Sequence, residues 1–140
     1  MVTIGSFKDI SDKYDEVWLI VRSLKSMPTC SIPVYHVPQL SPSWDLFKNY
    51  LSWAKSGEWN EQCFMERYVP CFLEQMKTQE AKQALNSLYF KSKTTNILLV
   101  CYCPNEALCH RSIVMGLLQG VGAETDGNNY RHFYDMYTKG

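Results

Sequence analysis

Two runs of the chain leave little choice of architecture. Val17-Trp18-Leu19-Ile20-Val21 is apolar without a break, and so is Ile97-Leu98-Leu99-Val100-Cys101 after Asn96. A strand with one wet face alternates apolar and polar side chains. A strand that is apolar throughout is buried on both faces, as in a parallel sheet. Parallel neighbours cannot be joined by hairpins and need longer crossovers, usually helical. The residues between the two runs have that character. Trp44, Phe47, Leu51 and Ala54 recur at helical spacing, after Ser43 as cap and before Gly57 as stop. This stripe reads as core and not as a ligand-binding face. Phe64, Met65, Tyr68, Phe72, Leu73 and Met76 form a second stripe, which Pro70 should kink or divide. Ala81, Leu85, Leu88 and Tyr89 predict a third helix.

The flanks complete the pattern. Val2-Thr3-Ile4 is a short β-prone run ended by Gly5. Ile32 to Pro38 carries two prolines and reads as an edge strand or extended loop. A helix is predicted from about Cys109 to Gln119, stopped by Gly120 and Gly122, and the aromatic tail from Tyr130 to Tyr137 as a last short helix or strand. The expected fold is α/β: one domain over residues 1–140, with a largely parallel sheet flanked by helices and a helical middle segment.

Composition acts mainly by exclusion. Lys+Arg and Asp+Glu both number 14, so the formal net charge is zero, and no long basic run occurs. Bulk charge therefore gives no basis for non-specific nucleic-acid binding or for membrane-surface binding. No apolar stretch approaches the ~20 residues that span a bilayer. Met1 to Ser6 does not have the form of a secretory signal. The six cysteines are accordingly expected as free thiols, and the compartment as cytoplasmic. No feature sets an oligomeric state.

In open α/β sheets, ligands bind beyond the carboxyl ends of the strands. Three features fall at such ends: Gly5-Ser6, Arg22-Ser23, and Cys101 through Arg111. Cys109, His110, Arg111 and Ser112 occupy the first turn of the predicted helix. Its dipole and unpaired N–H groups favour an anion and stabilise a thiolate. This predicts Cys109 as nucleophile and His110 as acid/base. Arg22 and Arg111 are the expected anion clamps, Ser6, Ser23 and Ser112 hydrogen-bonding groups, and Gly5 a point of close backbone approach. Basic residues at a helix start oppose the dipole by roughly 0.3–1 kcal/mol each, a cost that a bound anion offsets. On the structural alternative, His110 and Arg111 turn away to cap nearby carbonyls or to pair with Glu106.

Cys101, seven residues, then Cys109-His110-Arg111-Ser112 resembles the signature of the domain of unknown function 488 family, found in bacteria and bacteriophages. Thr3-Ile4-Gly5 resembles that family's first strand, and Val21-Arg22-Ser23 the end of its second. The resemblance spans roughly residues 2 to 120. Ser6 stands where the family often has His, Ile20 where it often has Asp, and Cys103 is an additional thiol. The resemblance implies the location of a site and no particular reaction.

Other signatures are missing. After five intervening residues, Cys103 is followed by Cys109 and Cys109 by Met115, so neither has the Arg of a phosphatase loop, and the His-x-Glu of zinc deaminases is absent. Cys101, Cys103, Cys109 and His110 offer four metal ligands, but their spacing is off the usual zinc pattern, so no metal and no cofactor are expected. A Cys103–Cys109 redox pair is a further option. The expected partner is a small anionic ligand, a nucleotide or phosphorylated metabolite. Three readings stay open: an enzyme acting on that ligand, a module that only binds or sequesters it, and a structural zinc-binding or interaction protein.

Overall fold

The structure, a computed structural model, describes residues 1–139. Its sheet contains β1 (Val2–Gly5), β2 (Glu16–Leu19), β3 (Val34–His36), β4 (Ile97–Val100) and β5 (Thr125–Asp126), in the order β3-β2-β4-β1-β5. All four pairings are parallel. The two apolar runs supply adjacent central strands, β2 and β4, and every residue of both is buried. The proline-flanked β3 lies at one edge, where missing ladder donors cost least. At the other edge β5 has only two residues, too few to leave a periodic signal in the sequence.

The helices are α1 (Trp44–Ser56), α2 (Glu61–Cys63), α3 (Val69–Gln75), α4 (Gln79–Ser92), α5 (His110–Gly120) and α6 (His132–Lys139). Ser43 caps α1 by accepting from the Leu46 N–H at 3.2 Å, and Gly57 ends it in the left-handed region at φ 80°. Pro70 divides the second stripe as its chemistry requires. A π-turn, Phe64–Tyr68, joins α2 to α3, and Pro70, which has no N–H to give, stands in the first turn of α3. One correction concerns the end of α5. Gly120 is still helical, and the stop is Gly122, at φ +90°. Gly120 instead lets α6 approach: a Cβ there would sit 1.9 Å from the Tyr134 ring.

The two faces of the sheet are covered differently. Trp18, Ile20, Ile97 and Leu99 point into a large cluster with apolar residues from the helices. Val17, Leu19, Leu98 and Val100 point the other way, under Phe7, Ile10, Tyr14, Leu24 and Ile32 from the connecting segments. Helices thus lie on one face, and irregular chain covers the other. Among the described residues, no helix is long and apolar enough to cross a membrane.

Candidate functional site

The register explains why residues distant in sequence meet. Val100 pairs with Leu19 on one side and with Gly5 on the other, so β1, β2 and β4 end level. Beyond Val100 the chain passes through Cys101 to Pro104 and a single 3-10 turn, Glu106–Leu108. The Asn105 side chain starts that turn, accepting from the Ala107 N–H at 3.0 Å. Cys109 then forms the N-cap of α5 with extended backbone angles, φ −132° and ψ 149°. This excursion carries Cys109 and His110 back over the end of β4.

The result is a compact cluster. The ligating atoms of Cys101, Cys103, Cys109 and His110 all lie within 4.8 Å of one another. Cys109 Sγ is 3.5 Å from Cys101 Sγ and 3.6 Å from His110 Nδ1, and Cys101 Sγ is 3.9 Å from the same nitrogen. Cys101, Cys109 and His110 are buried, whereas Cys103 is half-buried. None of the six cysteines is in a disulfide.

Hydrogen bonding converges on Cys101, not on Cys109. Cys101 Sγ accepts from the Cys103 N–H at 3.4 Å and from the Cys109 thiol. Bonds from Cys103 and Cys109, with the adjacent His110 charge, hold the Cys101 thiol far below the ordinary thiol range. The same sulfur contacts push Cys103 up. Burial pulls the His110 imidazole down, but the charges of Cys101 and Cys109 outweigh it and raise it well above its usual value. The cluster is therefore a tightly coupled thiol–imidazole group centred on Cys101.

Above the cluster opens a cavity of about 640 Å³. Its walls are largely aromatic: Trp44, Phe47, Tyr50, Trp59 and Tyr68, with Leu51 among them. Arg22, Ser23 and Lys25 also line it, from the loop after β2, and the four-residue cluster forms its floor. This overturns the reading of the Trp44 stripe as core. Trp44 is 53% and Leu51 48% exposed because that face of α1 turns toward the cavity, whereas the buried position of α1 is Leu46. An apolar period shows which side of a helix avoids bulk water. It does not distinguish a packed core from a ligand cavity.

The residues predicted for the site fall into two groups. Arg22, Ser23, Cys109 and His110 line the cavity. Gly5, Ser6, Arg111 and Ser112 lie outside the lining and build the frame. The terminal nitrogens of Arg111 donate to the Gly5 carbonyl and, at 2.8 Å, to the Cys103 carbonyl. Ser6 donates to Asp9 through its N–H at 2.8 Å and its hydroxyl at 3.1 Å. Ser112 Oγ donates to the Cys109 carbonyl at 2.7 Å. His110 Nε2 donates to the Ile20 carbonyl at 2.5 Å. Both basic residues at the start of α5 thus cap carbonyls, as the structural alternative expected. Glu106 is bonded elsewhere, accepting from the Tyr130 hydroxyl at 2.7 Å. Arg22 is partly committed, donating to Pro42 and Pro38 carbonyls at 2.8 Å each.

A parallel α/β sheet with a thiol–imidazole cluster under an aromatic cavity defines the class of this protein. The family model described as the Active DUF488-N3 subclade matches residues 12–122, and the chain belongs to the DUF488 family. The matched region includes β2, Arg22 and the whole cluster. No match to a curated protein or to a solved structure was found.

Proposed function

We propose that the chain binds and acts on a small anionic molecule carrying a flat ring, of the nucleotide class, in a cytoplasmic setting where thiols stay reduced. One observation carries this reading: a single cavity joins aromatic walls, the cationic Arg22 and Lys25, and a sulfur–imidazole floor. Aromatic faces take a base by stacking, and cations with hydroxyls take the anionic end. The family description, Active DUF488-N3 subclade, agrees with a protein that carries an activity.

In this reading Cys109 is the nucleophile. Its Sγ lies 3.6 Å from His110 Nδ1, so the imidazole takes the thiol proton as the Cys109 sulfur bonds to the electrophilic carbon or phosphorus of the ligand. The leaving group departs with the bonding pair and takes that proton. Arg22 and Ser23 contact the anionic end. Arg111, Gly5, Ser6 and Ser112 hold the frame.

Trp44 and Trp59 line the cavity, so their fluorescence reports its occupancy. Nucleoside monophosphates should quench it at concentrations where the bare nucleoside and inorganic phosphate do not. Lys25→Ala should weaken binding about tenfold, or ~1.4 kcal/mol. Cys109→Ser should abolish turnover of the ligand and spare its binding. Binding without turnover in the parent protein identifies the sequestering alternative. If no monophosphate binds the folded protein, the reading is wrong.

A further inference from the structure

We infer that Cys101, Cys103, Cys109 and His110 form a tetrahedral site of three sulfurs and one nitrogen for a zinc-class divalent ion. The chain spacing argued against this, but the positions of the ligating atoms argue for it. With metal–sulfur bonds of about 2.3 Å and metal–nitrogen bonds of about 2.0–2.1 Å, a tetrahedron has sulfur–sulfur edges of about 3.8 Å and sulfur–nitrogen edges of about 3.5 Å. The corresponding distances are 3.5 Å for Cys101–Cys109, and 3.6 and 3.9 Å from those sulfurs to His110 Nδ1. Three vertices already stand at coordination distance from one another. Cys103 supplies the fourth, within the 4.8 Å that encloses the set.

The surroundings fit an ion as well as the ligands do. His110 gives its Nε2 proton to Ile20, which fixes the ring and leaves Nδ1 to the sulfurs. Ligating imidazoles are held in this way by an outer-shell acceptor. Three thiolates around a divalent ion leave one negative charge in a buried place. Arg111, 3% exposed, lies beside the sulfurs and balances that charge. Its Nε is buried with no hydrogen-bond partner, so one donor in the set is still uncommitted. Cys103, half-buried and in the cavity lining, gives an ion its route from the cavity.

Binding exchanges protons for metal: the thiols lose theirs to solvent as sulfur–metal bonds form, with no change of oxidation state. With the ion in place Cys109 is a metal thiolate, and attack by a free thiol belongs to the metal-free protein. The inference concerns the floor: ion binding and ligand binding in the cavity above are read separately, and Cys109 attack requires the metal-free floor.

The test uses the full chain, reduced and metal-free, titrated with cobalt and then zinc. One equivalent of cobalt should produce thiolate-to-metal charge transfer with the strong visible bands of a tetrahedral ion, and zinc should displace it. Cys103→Ser, the substitution least exposed to folding failure, should weaken cobalt binding by more than the ~10–100-fold typical of losing an outer-shell partner. Cys30→Ser and Cys71→Ser, at exposed thiols, should leave it unchanged. Bound zinc should also protect Cys109 from alkylation. The site is refuted if the folded parent takes up no cobalt, if the spectrum is six-coordinate, or if the Cys103 variant binds like the parent. Nucleotide quenching of Trp44 and Trp59 on the same samples separates the two proposals. Loss of one signal with the other intact rejects only the proposal it reads.

Discussion

His110 and Ile20 are ninety positions apart and share one buried hydrogen bond, from Nε2 to the main-chain carbonyl at 2.5 Å. Because a carbonyl only accepts, the proton on Nε2 is set by the partner. The ring also lies 5.6 Å from that of Phe72. Orientation, protonation of one nitrogen and exposure of the other to the sulfurs thus follow from where β2 ends.

The first prediction concerns that bond. His110→Ala orphans the Ile20 carbonyl, at a cost of about 1–3 kcal/mol, and leaves a void against Phe72 that adds to it. Urea unfolding with an unchanged slope should show the loss. A variant as stable as the parent would mean that the bond does not hold the ring.

The second concerns the seam between α5 and α6. A Cβ on Gly116 would lie 2.1 Å from the Tyr130 carbonyl oxygen, and one on Gly120 would enter the Tyr134 ring. Gly116→Ala meets backbone, which cannot rotate away. It should lose about 1–3 kcal/mol, typical of overpacking. Gly120→Ala meets the Tyr134 Cβ at 2.3 Å, which no side-chain rotation moves, and should lose a comparable amount. Thermal melts of the two variants check this, and a variant as stable as the parent would contradict the seam described above.

The third concerns pH. The Ser6 N–H bond holds the Asp9 carboxyl below its ordinary value, with smaller help from the Ser6 hydroxyl, Lys8 and Arg111. A depressed carboxyl contributes stability above its unfolded pKa, and that contribution is lost as pH falls through the lower folded value. Asp9→Asn should therefore reduce stability at neutral pH and flatten the acid limb of the stability curve. Asp9 is exposed, so the effect is small and should shrink with added salt. Stability measured from neutral to strongly acidic pH, with both chains parallel throughout, would count against it.

The fourth concerns Glu16, the one carboxylate buried in the sheet. It accepts from Trp18 Nε1 at 2.7 Å and pairs with Lys91 Nζ at 3.2 Å. Glu16→Leu leaves the buried indole N–H unpaired and should cost about 1–3 kcal/mol. Adding Trp18→Phe removes the orphaned donor and should recover part of the loss. A double-mutant cycle with no coupling would dismiss the pair.

What the sequence shows of this fold follows the physics of burial. Continuous apolar runs identified β2 and β4, the capping Ser43 and the left-handed Gly57 bounded α1, and Pro70 marked the break before α3. β5 escaped because two residues carry no period. Gly120 was misread because a glycine that ends a helix and one that admits a neighbouring helix look alike in one dimension. At the site, Cys109 and His110 of the motif line the same cavity as Arg22, and Arg111 lies outside its lining. The sequence offers Cys101, Cys103, Cys109 and His110 as a set of four ligands with spacing off the usual zinc pattern, and the fold gathers the set within 4.8 Å. Residues two apart on an extended segment face the same way, which brings Cys103 to the side of Cys101. The aromatic walls left no separate trace, because a helix facing a cavity and a helix facing a core use the same residues.

The unequal cover of the sheet has a mechanical consequence. The floor of the site stands on β4 and α5, whose side chains are buried, those of Ile97, Leu99 and the apolar side of α5 under helices. Arg22, Ser23 and Lys25 belong to a segment with no helix of its own. Amide exchange should divide the site accordingly, with slow protons on β4 and α5 and fast ones after Val21. Exchange between the cavity and solvent should therefore favour the Arg22 side, away from Cys109 and His110 at the start of α5.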